Sequence, residues 1–80
     1  MLEDWKEQNG YLEKTFIFKS FLKTMSFVNA IAWTANKENH HPQMIIDFNQ
    51  CIIRLTTHDE GNKITDKDHR LARLIDQLNS

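Results

Sequence analysis

Apolar and polar residues alternate between Trp5 and Phe18, and the alternation reverses about one point, Asn9-Gly10. That pair suits a two-residue turn needing positive φ at both central positions, so the stretch predicts a β-hairpin. Trp5 then pairs with Lys14 and Glu7 with Leu12. Leu12, Phe16 and Phe18 share one face with Trp5, and that face builds a core. The period changes after Ser20, a good helix N-cap. From there to about Lys37, the residues Phe21, Met25, Val28, Ala32 and Ala35 recur every three or four positions, which predicts a helix with this stripe inward. Phe27 and Ile31 lie off the stripe and widen the apolar surface, either as further core or as a subunit contact.

Alternation returns from Met44 to Thr57. A two-residue turn at Asn49-Gln50 sets Met44 against Leu55, Ile46 against Ile53 and Phe48 against Cys51, all apolar and on one face. The other face pairs Ile45 with Arg54 and Asp47 with Ile52. Extended to the open end, this register sets His41 opposite His58, with Cβ atoms about 5 Å apart, and His40 close by. Asp59 to Lys63 is a loop containing Gly61. Thr65 then opens a last helix as N-cap, with Asp68 as the N3 residue of a capping box. Leu71, Leu74, Ile75 and Leu78 point that helix inward. The order β-β-α-β-β-α predicts an α+β fold over residues 1–80: one domain, a four-stranded antiparallel sheet with both helices packed on one face.

Size and charge narrow the function. Eighty residues bury only a thin core, so oligomerisation is a reasonable source of added stability. The net charge is −1 with the two signs interleaved, which leaves no basic stripe for nucleic acid or a membrane surface. No apolar run approaches the roughly 18 residues of a membrane span. The start, Met1-Leu2-Glu3-Asp4-Trp5, lacks the basic and apolar regions of a signal peptide. Cys51 is the only cysteine, which excludes an internal disulfide and fits a reducing, cytoplasmic setting.

The chemistry concentrates at Asn39-His40-His41-Pro42 and at His58. Imidazole titrates near neutrality, and a cluster of three separates an acid role from a base role. Two plainer readings stand beside this one. The histidine pair before a proline could be a solvated loop, and His40, His41 and His58 could hold zinc, although adjacent histidines rarely turn toward one metal. Asp68 has a helix-capping reading of its own, and His69 falls on an exposed helix flank. No glycine-rich phosphate loop or HExxH motif is present.

Taken together, His40-His41-Pro42, Thr57-His58, Gly61, Thr65-Asp66-Lys67-Asp68 and Leu71-Ala72 resemble the pterin-4a-carbinolamine dehydratases, as do Trp5, the Leu12, Phe16, Phe18 run and Phe21. The 16 residues from Pro42 to His58, counting His58, match the family spacing. The resemblance implies loss of water from a 4a-hydroxytetrahydropterin to give the quinonoid dihydropterin, without metal or bound cofactor. It implies a homodimer or homotetramer, and a link to an aromatic amino acid hydroxylase. By position, His40 and His58 form the acid–base pair, and His41 holds and orients the pterin. Asn39, Pro42 and Thr57 join it at the substrate, and Asp68 orients a histidine or completes the pocket wall. Four departures stand out. Asn36 replaces a frequent Glu and Met44 a frequent Trp at the pocket rim. The loop after His58 is about one residue longer than in animal members, and the segment that precedes Trp5 in many relatives is missing. Animal members also serve as dimerisation cofactors of a transcription factor, so a non-enzymatic interaction module is the alternative function.

Overall fold

The structure is a computed structural model describing residues 4–79; the opening Met1-Leu2-Glu3, on which the signal-peptide expectation falls, lies outside the described residues. Strands β1 (Lys6–Gln8) and β2 (Tyr11–Ile17) form the first hairpin, with Glu7 opposite Leu12 as the turn predicts. Asn9 and Gly10 both have positive φ, 51° and 84°. The ladder ends short of Trp5, which nevertheless stays on the core face. Its ring meets Phe16 edge-on, centroids 6.1 Å apart, and its indole N–H donates to Asp76 at 3.0 Å. Lys14 reaches the same carboxylate at 2.8 Å. The hairpin is thereby clamped to the last helix.

Helix α1 (Phe21–Glu38) begins at Ser20, whose hydroxyl accepts from the Lys23 N–H. Its buried face is Thr24, Phe27, Val28, Ile31 and Ala35, rotated about 60° from the expected stripe at 100° per residue. Phe21 and Ala32 are exposed, whereas Phe27 and Ile31 belong to the core. Thr24 explains the rotation. Its hydroxyl lies 2.9 Å from the Ser20 carbonyl and 3.0 Å from the Phe48 carbonyl, so it is satisfied without water. Counting only apolar residues misses a threonine that the backbone supplies with partners.

Strands β3 (Gln43–Asp47) and β4 (Gln50–Leu55) form the second hairpin, but its turn is Phe48-Asn49, one residue earlier than expected. Met44 therefore faces Ile53, and Ile46 faces Cys51. Each pairing moves by two positions, so β-strand residues keep their expected faces. Phe48 leaves the sheet and is exposed. The turn is held both from within the hairpin and from outside it. The Asp47 carboxylate accepts from the Phe48 N–H at 2.8 Å, and the Phe18 N–H donates to the Asn49 carbonyl at 2.7 Å. Neither turn residue has positive φ, so no Asn-Gly-like signal marks it.

The sheet order is β1-β2-β4-β3, all antiparallel. Helix α2 (Asp66–Leu78) buries Leu71, Ala72 and Ile75, whereas Leu78, expected inward, is exposed at the helix end. Both helices cover one face of the sheet, and the core lies between, around Phe16, Ile31, Ile53, Leu55, Leu71 and Ile75. Cys51 sits there with no exposed surface, and burial pushes its thiol pKa up.

Candidate active site

The histidine segment leaves α1 through Asn39, which adopts the left-handed conformation (φ 52°, ψ 40°). Asparagine is the residue other than glycine that visits this region most readily at a helix end. The His40 N–H then donates to the Ala35 carbonyl at 3.1 Å and closes the helix. This reversal carries His40 toward the start of α2.

There Nε2 of His40 lies 2.6 Å from Oδ1 of Asp68. Asp68 has no exposed surface. Its Oδ2 accepts from the Thr57 hydroxyl at 2.7 Å and from the Thr65 N–H at 2.9 Å. Burial alone would raise the carboxyl pKa. Hydrogen bonds from His40, the Thr65 backbone and Thr57, with the His40 charge, outweigh burial and hold it below the usual carboxylate value. An ionised carboxylate has no proton to give, so His40 donates from Nε2 and keeps Nδ1 free of this bond. Asp68 is at once the capping-box residue of α2 and the anchor of His40.

His58 opens a short 3₁₀ turn (His58–Glu60) after β4. The loop is drawn tight by the Thr57 carbonyl, which accepts from the N–H groups of Glu60 and Asn62 at 3.2 and 3.1 Å. Gly61 and Asn62 both have positive φ, which turns the chain back so that the Asn62 amide oxygen lies 2.8 Å from Nδ1 of His58.

His40, His41, His58, Asn39 and Thr57 line one cavity of about 170 Å³, together with Asp59 and Lys67. A second cavity of about 260 Å³ has His41 and His58 among its walls, together with Tyr11, Gln43, Arg54 and Thr56. The direct opposition of His41 and His58 is not what brings them together. The observed ladder, prolonged past Gln43–Arg54, would set His41 against Thr56, and β3 starts only after Pro42. The tight loop returns His58 to the same cavity instead. Asp68 stands behind His40, away from the cavity surface, and Pro42 lines neither cavity. Among the described residues no group of three or more His, Cys, Asp or Glu side chains is disposed to hold a metal ion. Asn36 lies on the outer surface of α1 beside Trp33, and Met44 packs against the core. Asp59 and Asn62 complete the site without having been singled out by sequence, whereas Thr65 and Lys67 stand in the stretch that reads as a helix cap. Asn62 follows a glycine in a loop, a sign of a turn but not of a histidine partner.

The profile of the family described as Pterin 4 alpha carbinolamine dehydratase matches residues 1–78. The chain belongs to this family. Relatives provisionally named pterin-4-alpha-carbinolamine dehydratases include one from Sulfurisphaera tokodaii, 42% identical over 96% of this chain and 82% of its own length. One from Legionella pneumophila is 46% identical over 90% of this chain and 63% of its own length. One from Nitrosomonas eutropha is 38% identical over 95% of this chain and 66% of its own length. The chain spans about two thirds of the length of the last two. Among solved structures it is similar to a transcriptional coactivator/pterin dehydratase from Brucella melitensis, with TM-score 0.91 and 30% identity over 99% of this chain and 85% of that one. It is also similar to a pterin dehydratase-like protein described as a RuBisCO assembly factor in the alpha-carboxysome, with TM-score 0.79 and 26% identity over 95% of this chain and 89% of that one.

Proposed function

We propose that this dehydratase-family chain removes water from a 4a-hydroxytetrahydropterin, giving the quinonoid dihydropterin, in tetrahydrobiopterin-type recycling. The observation that carries the reading is the buried Asp68 carboxylate on Nε2 of His40, with His58 on the same cavity. Elimination needs a proton for the departing 4a hydroxyl and a base for the N5 proton. The N5–H electron pair becomes the new C=N bond as the C4a–O bond breaks and water leaves. His40, whose partner is an anion, is the acid, because the carboxylate compensates the positive charge of a protonated ring. His58, whose partner is a neutral amide, is the base. His41 holds the pterin, with Asn39 and Thr57 bordering it, and Asp68 acts on substrate only through His40. No metal or organic cofactor takes part.

The enzyme is cytoplasmic, a homodimer or homotetramer, and works beside an aromatic amino acid hydroxylase; nucleic acid and membranes are not partners. No helix among the described residues is long and apolar enough to cross a membrane.

The test is the ultraviolet decay of enzymatically generated 4a-hydroxytetrahydropterin, followed near pH 8 with and without the protein. Acceleration should vanish in His40→Ala with His58→Ala while the folded mass is unchanged. Unaltered turnover in that double variant would overturn the assignment. A second reading, a non-enzymatic interaction module, is favoured by Leu22 and Trp33 of α1, 76% and 78% exposed. A folded protein without acceleration would put that reading first.

A further inference from the structure

His58 is exposed and carries no buried carboxylate to set its ring, yet its loop is shaped around it. We infer that Asn62 is the positioning residue of His58, fixing the neutral ring as the Nδ1–H tautomer so that Nε2 is the basic nitrogen offered to the cavity. The inference deepens the dehydratase reading above, in which His58 is the base. The amide oxygen of Asn62 can only accept, so the 2.8 Å bond puts the proton on Nδ1 of His58. A flexible surface side chain would not hold this choice, but Asn62 is fixed through its backbone. Its φ is 60°, and its N–H is bound by the Thr57 carbonyl. Its own carbonyl abuts the tip of the first hairpin, where a Cβ added to Gly10 would come within 2.5 Å of that oxygen. The Thr56 hydroxyl ties the same tip down by donating to the Gly10 carbonyl at 2.8 Å. The missing side chain at Gly10 thus leaves room for the loop that orients His58. The two histidines present opposite nitrogens, His40 its Nδ1 and His58 its Nε2, because their partners take opposite positions of the ring.

The experiment reads ¹⁵N chemical shifts of the imidazole nitrogens in histidine-labelled full-length protein at a pH where His58 is neutral, for the parent, Asn62→Gly and Asn62→Asp. Glycine keeps the left-handed backbone and removes the amide, and aspartate keeps an acceptor. The parent and Asn62→Asp should show His58 with its proton on Nδ1, and Asn62→Gly should show a mixture shifted toward the Nε2–H form. In the dehydration assay kcat should fall about fivefold in Asn62→Gly, the fold-change that one exposed hydrogen bond commands, with KM little changed; Asn62→Asp serves the spectra alone, because an anion beside His58 would also favour its protonated form. A parent ring protonated on Nε2, or a tautomer indifferent to Asn62→Gly, would overturn the inference. The spectra decide it even if the parent shows no turnover, an outcome that would remove the dehydratase reading alone.

Discussion

Asp68 divides its two oxygens between different tasks. Oδ1 meets His40, and Oδ2 takes the hydroxyl of Thr57 and the N–H that opens α2. Because the native carboxyl is held below its ordinary pKa, the sign of its pH linkage is set. The stabilisation is fully present above the unfolded value, about 3.9, and is lost as pH falls through the lowered native value. We expect Asp68→Asn to be less stable than the parent by about 1.5–3 kcal/mol at pH 7. The gap should narrow below about pH 4. Urea denaturation at pH 7 and near pH 3 checks this, and a gap constant across that window would mean that the charge contributes nothing. The variant should also lose dehydration rate, through a His40 ring no longer held by an anion.

At the scale of elements, the end of α1 decides where the histidines go. Asn39→Gly should be nearly neutral in stability, whereas Asn39→Val should cost about 1–2 kcal/mol, the penalty of a β-branched residue in the left-handed region. Thermal unfolding of the pair measures it, and equal melting temperatures would show that the helix can end another way. The elements that sequence predicts best are those whose signal is local. Asn9-Gly10 carries its own turn, Ser20 its own cap, and Thr65 with Asp68 a capping box, and each forms where expected. The second turn is different because its partners are Thr24 and Phe18, distant in sequence. The inward face of α1 is rotated for the same reason, since Thr24 is buried by a bond to that turn. In the site, His40, His41 and His58 stand out by residue type and spacing. Asn62 does not, because its part depends on a loop conformation that only the folded chain defines.

For the whole molecule, 80 residues leave a shallow core and a long helix with one side open to solvent. If subunits associate through that side, Trp33→Lys should lower the mass seen by light scattering to that of a smaller assembly while the circular dichroism stays unchanged. An unchanged mass would place the contact elsewhere. So small a protein also has few residues to spare for a single purpose, and Asp68 carries the consequence. A descendant that gave up turnover for a life as a scaffold would still need this aspartate to start its last helix. Finding it in a relative therefore says little about whether that relative is still an enzyme. The bond between His58 and Asn62, by contrast, joins two exposed side chains and starts no helix. It is the part free to drift once chemistry no longer matters, and so the better witness that chemistry still does.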